Sequence, residues 1–392
     1  MEDTMDFRAD PLHEEIRQAV RRVCADFPDE YWMERDENKE FPWEFYDAIA
    51  KSGWLGLTIP TEYDGGGLGV TEAAIVEQEI SASGAGMGGC TAVHIGIFGF
   101  ESLIKYGSEQ LKRRFLPRAV AGDLHVSFAV TEPDAGTDTT NISTFARKVD
   151  GGFLVSGKKV WISKAQEAER LFLLCRTSRR EDSPKRTAGM TLFFAPLDRE
   201  RITIRRIPKM GRNAVDTNEL FIDDLFVPDE DVIGEVGQGF KAILAGLNAE
   251  RVISANAALG LGRAALRRAT EYAKERNVFG RPIGQNQGIA FQLAEARMRL
   301  DAAELMCQKA AWLIDNDLPH AEQANEAKYL AAEAGFHAAD VAISVHGGYG
   351  YSKEFHVERY FREARLMRIA PISQEMVLNY LAEHVLGLPR SY

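Results

Sequence analysis

The chain has 392 residues, 45% of them hydrophobic, and a formal net charge of −11. Such a length supports more than one core and predicts two or three domains. The acidic balance excludes nucleic acid or an anionic membrane surface as the main partner, because neither gains from that long-range field. Cys24, Cys90, Cys175 and Cys307 form no CxxC pair and have no histidine cluster beside them, so the expectation is a reducing, cytoplasmic setting without a disulfide framework or a zinc site. Met1 to Asp10 is acidic and has no apolar core stretch, unlike a secretory signal or an Arg-rich transit peptide. No apolar run approaches the roughly 20 residues that a membrane span needs, so a soluble protein is expected.

From about Leu12 to Val120 the apolar residues recur at three and four, as in Ile16, Ala19, Val20 and Val23, which predicts helices. The glycines at 65, 66, 67 and 69 lack the Lys-Ser/Thr of a phosphate loop and read as a flexible connection. Between about Asp123 and Pro228 the texture changes to short β-formers, Phe153-Leu154-Val155, Lys159-Val160-Trp161-Ile162, Leu171 to Leu174 and Thr191 to Phe194. Beyond Gly239 the helical period returns over about Phe240–Arg276, Gln287–Asp315 and Glu322–Val345, lengths that pack as an antiparallel bundle. Gly260-Leu-Gly262-Arg-Ala-Ala265 imitates a dinucleotide fingerprint but lies within a helical pattern, where small residues serve tight packing. The expected α+β fold therefore has an all-α domain (1–121), a β-barrel-like domain (122–234) and a C-terminal four-helix bundle (235–392).

Several segments, in this order along the chain, resemble the acyl-CoA dehydrogenase family. Val130-Thr-Glu-Pro-Asp-Ala-Gly-Thr-Asp138 looks like its signature, and Val160-Trp-Ile-Ser163 follows at the family's spacing. Arg276-Asn-Val-Phe-Gly280, Gln287, His346-Gly-Gly-Tyr-Gly-Tyr351 and Arg359-Tyr-Phe-Arg-Glu-Ala-Arg365 resemble the C-terminal landmarks, so the likeness runs from about Pro11 to Gly387. The resemblance implies FAD as cofactor and an acyl-CoA as substrate. Phe128, Val130, Thr131, Trp161, Ile162 and Ser163 would then line the isoalloxazine, with Ser163 near N5 and Thr137 near the cofactor and CoA phosphates. A neighbouring subunit would bring Arg276, Phe279, Gln287, Ser344, Gly347 and Gly348, implying a homodimer or homotetramer, and Ser373 and Glu375 fall at further cofactor positions. An electron-transferring flavoprotein is the implied electron acceptor. Hydroxyl and NH donors suit a flavin, since they stabilise charge at its pyrimidine edge without adding a mobile ion. Singly, a Thr-Glu-Pro turn and a Trp also suit a plain β-sheet edge, and Arg276 a helix end; their combined spacing favours the flavin.

α,β-Dehydrogenation needs a carboxylate to take the α-proton while flavin N5 takes the β-hydride. Many family members carry that Glu in a Glu-Gly-Thr segment, but the matching residues here are Pro371-Ile372-Ser373. Proline also lacks the backbone NH that helps polarise the thioester carbonyl in the resembling enzymes. Isovaleryl-CoA-type and long-chain-type members instead place the base in a Glu-Arg dipeptide early in the C-terminal domain, which matches Glu250-Arg251. Periodicity supports Glu250 independently, because Phe240, Ile243, Leu247, Glu250, Ser254, Ala257 and Leu261 form one stripe. The alternative is a buried pair between Glu250 and an arginine that only fixes packing. Glu375 is a second candidate base, Glu354 and Glu358 are expected to anchor nearby arginines, and by resemblance Asn248 and Arg251 approach the thioester. The leading expectation is an FAD-dependent acyl-CoA dehydrogenase. An enoyl-thioester reductase, a flavin oxidase or monooxygenase and a silent thioester-binding protein are the alternatives.

Overall fold

The computed structural model describes residues 10–390. Of the N-terminal stretch compared above with targeting sequences, residues 1–9 lie outside the described residues, while Asp10 caps the first helix through Leu12 N. Seven helices come first: α1 (Pro11–Cys24), α2 (Asp29–Asn38), α3 (Trp43–Lys51), α4 (Val70–Ile80), α5 (Gly86–Phe98), α6 (Glu101–Tyr106) and α7 (Glu109–Ala121). Helix α1 buries Ile16, Val20 and Cys24 on one stripe, with Pro11 at its start and Arg21 and Arg22 in its last turn, where they suit the dipole.

Every residue of α4 from Ala73 to Ile80 is buried, as befits a helix surrounded by others. Contrary to the sequence expectation, the helical run Val70–Tyr106 is long and apolar enough to cross a membrane by length and composition. Two-thirds of its apolar window (67%) is buried inside this fold, so packing against neighbouring helices accounts for that apolarity. The glycine run 65–67 also differs from the expectation. Its NH groups bond to the carbonyls of Pro60, Gly56 and Ile59, making a packed turn.

The middle segment contributes β1 (Val126–Ala129), β2 (Phe145–Val149), β3 (Gly152–Ser163), β4 (Arg170–Arg176), β5 (Met190–Pro196), β6 (Ile202–Arg206), β7 (Thr217–Pro228) and β8 (Val232–Ile233). They form one eight-stranded sheet in the order β6-β7-β3-β2-β4-β5-β8, with β1 parallel to β4. Phe153, Val155, Ile162, Leu171, Leu173, Phe193, Leu220 and Leu225 share one core, so the sheet curls around its own apolar face while β6 and β8 remain its edges. Phe153-Leu154-Val155 and Lys159–Ile162, read as separate β-formers, belong to the single strand β3.

Then come α8 (Gly239–Leu244), α9 (Leu247–Glu275), the hairpin β9 (Asn277–Val278) and β10 (Arg281–Pro282), α10 (Gln287–Asp315), α11 (Ala321–His346), α12 (Val357–Ala364) and α13 (Gln374–Tyr380). The long helix expected from Phe240 is broken between Leu244 and Leu247, which lets α8 pack on β5 while α9 turns into the bundle. Buried alanines and glycines let α9, α4 and α11 approach closely: a Cβ on Gly260 would stand 2.2 Å from the Gln78 carbonyl oxygen, and one on Gly262 would stand 2.9 Å from Gly335 Cα. The dinucleotide-like glycines are therefore packing residues. The N- and C-terminal helices share one core and are further joined at buried Asp29, which accepts from Arg359 at 3.0 Å and also from Arg268 and Tyr360. Burial raises that carboxyl, but Tyr360, Arg359 and Arg268 outweigh it and hold Asp29 below the usual carboxylate range.

Gly260→Val is expected to destabilise the protein by about 1–3 kcal/mol or more through overpacking against the Gln78 backbone. Gly288→Ala, where a Cβ meets nothing, is expected to stabilise by roughly 0.5–1 kcal/mol. Denaturant unfolding of the two variants checks the contrast.

Candidate active site

The three parts of the chain meet at a cleft of about 400 Å3, its open mouth included. His94, Ile95 and Phe98 of α5, Glu101 and Ser102 of α6, Phe128 of β1, Ile243 of α8, and Leu247 and Glu250 of α9 line it. The break before α9 places Glu250 in that helix's first turn, where backbone NH groups favour negative charge. Burial raises the Glu250 carboxyl above its ordinary range, with His94 and Arg251 pulling in the opposite direction. No hydrogen bond or ion pair reaches its carboxylate among the described residues. The adjacent Arg251 turns instead to Asn248 Oδ1, which removes the buried Glu-Arg pair considered above. A partly dehydrated, unpaired carboxylate facing an apolar cleft can act as a general base.

The neighbouring face of the sheet is shaped by a break in register. Strand β3 bulges against β7 between Lys159 and Ile162, and within that bulge Trp161 adopts φ 64° and is 60% exposed. A bulky residue in the left-handed region is strained backbone, which clusters where function fixes a side chain outside. The Ile162 side chain, by contrast, belongs to the β core. Phe128 stacks on Phe172 with ring centroids 4.7 Å apart, and Ser127 Oγ donates to Ser163 O at 2.8 Å, tying β1 to the end of β3.

Behind this face lies a buried ion pair to which the sequence reading assigned nothing. Lys159 Nζ donates to Glu132 Oε1 (2.8 Å), Val130 O (3.0 Å) and Leu174 O (2.7 Å), while Glu132 also accepts from Ser143 N and Thr144 N. With Val160 N donating to Thr131 O at 3.0 Å, these bonds pin Val130 and Thr131 against β3. Thr137 is exposed in the turn that follows.

A second group of sequence candidates stands elsewhere. Arg276 caps the end of α9, and its guanidinium lies 5.9 Å from the centre of the Tyr349 ring, beside Gly347 and Gly348. Phe279 and Gly280 are the two turn residues of the β9–β10 hairpin, both at positive φ, and Phe279 is fully exposed. Gln287 and Ser344 are also exposed. Among the described residues no hydrogen bond or ion pair joins this group to Trp161 or Ser163. Ser373 caps α13 through Met376 N. Glu375 is exposed, and its own backbone NH and Ser373 lower its carboxyl, a poor setting for a base. Glu358 pairs with Arg362 at 2.6 Å as expected, whereas exposed Glu354 has no such partner among the described residues.

Sequence comparison covers nearly the whole chain. Family profiles described as acyl-CoA dehydrogenase N-terminal, middle and C-terminal domains match residues 10–123, 127–225 and 237–386. The chain belongs to the acyl-CoA dehydrogenase family. It is 38% identical over 379 residues to the acyl-CoA dehydrogenase FadE12 of Mycobacterium tuberculosis, covering 96% of each chain. Among solved structures, a glutaryl-coenzyme A dehydrogenase in complex with glutaryl-CoA superposes with a TM-score of 0.91 at 30% identity, covering 99% of this chain and 98% of the other. Butyryl-CoA dehydrogenase from Megasphaera elsdenii gives 0.89 at 29% identity, covering 95% and 98%. The protein is an FAD-dependent oxidoreductase acting on an acyl-CoA.

For an acyl-CoA dehydrogenase the donor set fits the cofactor: an outward Trp161, the hydroxyls of Thr131 and Ser163, and glycines at 347 and 348 where a Cβ would meet nothing. Arg212 also belongs to this neighbourhood and was missed by sequence reasoning. It sits at φ 59°, donates to Thr91 Oγ1 at 3.1 Å and to Ser163 Oγ at 3.4 Å, and makes no ion pair among the described residues. Nothing in the local sequence marks it, because its partners lie on α5 and β3. The buried Lys159–Glu132 pair gives a direct test. Lys159→Met leaves Glu132 buried without a counter-charge, at an expected cost of about 3–5 kcal/mol, and loosens the Val130–Thr131 wall. Melting temperature and FAD content of the purified variant are both expected to fall.

Proposed function

We propose that Glu250 is the base that removes the α-proton of an acyl-CoA, and that Pro371 stands where other family members keep their glutamate. The observation that carries this reading is the unpaired, dehydrated Glu250 carboxylate on the wall of the cleft. The acyl chain lies between Phe98, Phe128 and Ile243, whose apolar surfaces exclude water around the carboxylate. Dehydration makes its anion a stronger base. Asn248 and Arg251, on the same turn and bonded to each other, present polar groups to the thioester end. Pro371 cannot offer an NH to the thioester carbonyl, so polarisation falls to other donors.

Phe128, Val130, Thr131, Thr137, Trp161 and Ser163, with the backbone of Ile162, hold the cofactor on one side. FAD, when bound, supplies the acceptor for the β-hydride. Arg276, Phe279, Gln287, Ser344, Gly347 and Gly348 serve the cofactor of a neighbouring subunit. The exposed Phe279 on a strained hairpin tip supports that division, and the enzyme is accordingly a homodimer or a tetramer of the same chain. Ser373 and Glu375 contact the cofactor from the start of α13. Four free, buried cysteines suit a cytoplasmic enzyme, and an electron-transferring flavoprotein is the proposed acceptor of its electrons.

Anaerobic titration of the yellow holoenzyme with a panel of acyl-CoAs is the test. Bleaching of the flavin is expected in wild type and about 10²–10⁴-fold slower bleaching in Glu250→Gln with FAD retained; an equal rate in the variant rejects Glu250 as base. The wild-type rate is expected to fall as pH drops through a carboxyl value above the ordinary one, since only the anion accepts a proton. Stability should move in the opposite sense. A carboxyl raised on folding favours the folded state fully below its unfolded value, and loses that advantage as pH rises through the folded value. Glu250→Gln is therefore expected to melt above wild type at pH 8, with the gap closing under acid conditions.

A further inference from the structure

The wall of the cleft that contributes His94 carries a feature that the base alone does not explain. Glu77, in α4, is completely buried, and its side-chain partners among the described residues are few: His94, whose Nδ1 lies 3.2 Å from Glu77 Oε1, and the neutral thiol of Cys90. The second oxygen, Oε2, has no partner within hydrogen-bond distance among the described residues. A buried carboxylate so sparsely satisfied is costly unless a full positive charge sits beside it. His94 is the group in place to supply that charge.

The surroundings hold the ring where it is. Helix α5 is fixed at its start by Glu363, which accepts from Met87 N at 2.7 Å, and Phe98 packs edge-on against the imidazole with centroids 4.5 Å apart. With Nδ1 committed to Glu77, Nε2 has no protein partner among the described residues, and the ring lines the same cleft as Glu250. The charged groups around it are Glu77 from α4, Glu250 and Arg251 from α9, Glu101 from α6 and Arg212 from the loop before β7. Glu101 is engaged by Lys105 at 2.7 Å. Arg212 is held one turn away on α5 at Thr91.

We infer that Glu77, His94 and Glu250 form one electrostatic array, in which the His94 imidazolium, anchored by Glu77, is the counter-charge that keeps the Glu250 carboxylate ionised and facing the cleft. His94 is thus a positioning residue that acts through the base, and its effect on catalysis rests on the reading of Glu250 given above. The balance of pulls on the ring agrees: burial lowers the imidazole, Glu77 and Glu250 raise it, Arg212 opposes them, and the net direction is upward.

The array can be read without turnover. In full-length holoenzyme carrying 13C at histidine Cε1, the resonance lost in His94→Gln identifies His94, and its titration is followed in wild type, Glu77→Gln and Glu250→Gln. Coupling between two sites is reciprocal. Glu250→Gln is therefore expected to lower the His94 midpoint, and His94→Gln to move the acid limb of anaerobic flavin reduction to higher pH. Glu77→Gln should lower the midpoint further. A His94 midpoint unmoved by Glu250→Gln overturns the array, and an acid limb unmoved by His94→Gln overturns the positioning role. If the midpoint moves as expected but no acyl-CoA bleaches the wild-type flavin, the array stands and the assignment of Glu250 as base fails.

Discussion

A carboxylate drawn partly out of water, with no hydrogen bond or ion pair to it among the described residues, is costly to hold, and the elements around the cleft keep Glu250 in that state. Three conditions have to be met together. The carboxylate must be out of bulk water, its neighbouring arginine must not neutralise it, and the helix carrying it must not rotate to hide or pair it. The break between α8 and α9 meets the first two by putting Glu250 in a first turn and leaving Arg251 to Asn248. Close packing of α9 against α4 and α11, through residues too small to leave play, meets the third.

The β-domain solves a related problem with different means. A regular strand would send Trp161 and its neighbours alternately in and out of the sheet. The bulge in β3 re-aims Trp161, and the strain it introduces is held by bonds from behind, above all Lys159 with Glu132 and two carbonyls. Buried ion pairs are weak evidence for stability in themselves. Here the pair has a specific geometric consequence, because it fixes the loop that carries Val130 and Thr131.

The sequence candidates fall into two groups on a single chain. Arg276, Phe279 and the Gly347–Gly348 turn gather at one exposed end of the bundle, unconnected by hydrogen bonds to the Trp161 face among the described residues. Phe279 stands fully exposed at positive φ on the tip of the β9–β10 hairpin, a strained position for a bulky side chain.

Local pattern was enough to determine the order of helices, strands and helices, the bounds of α10 and α11 nearly to the residue, and the position of Glu250 on an apolar stripe, because periodicity and turn chemistry act within a few residues. Motif spacing added the resemblance to the family, which the family profiles bear out, and showed Pro371 at the position of the usual glutamate. The same local reasoning misjudged features that depend on what lies across space. It ran α8 and α9 together, since the helical period continues through Ala245 and Gly246 while the packing of α8 on the sheet does not. It read the 65–67 glycines as loose, when their backbone is held by residues already behind them. It could not find Arg212, Lys159 or the Glu77–His94 pair, because a charge on one element acquires its meaning from a hydroxyl, carbonyl or carboxylate on another. Which carboxylate ends up paired and which is left unpaired among the described residues was decided only when the three segments closed around the cleft.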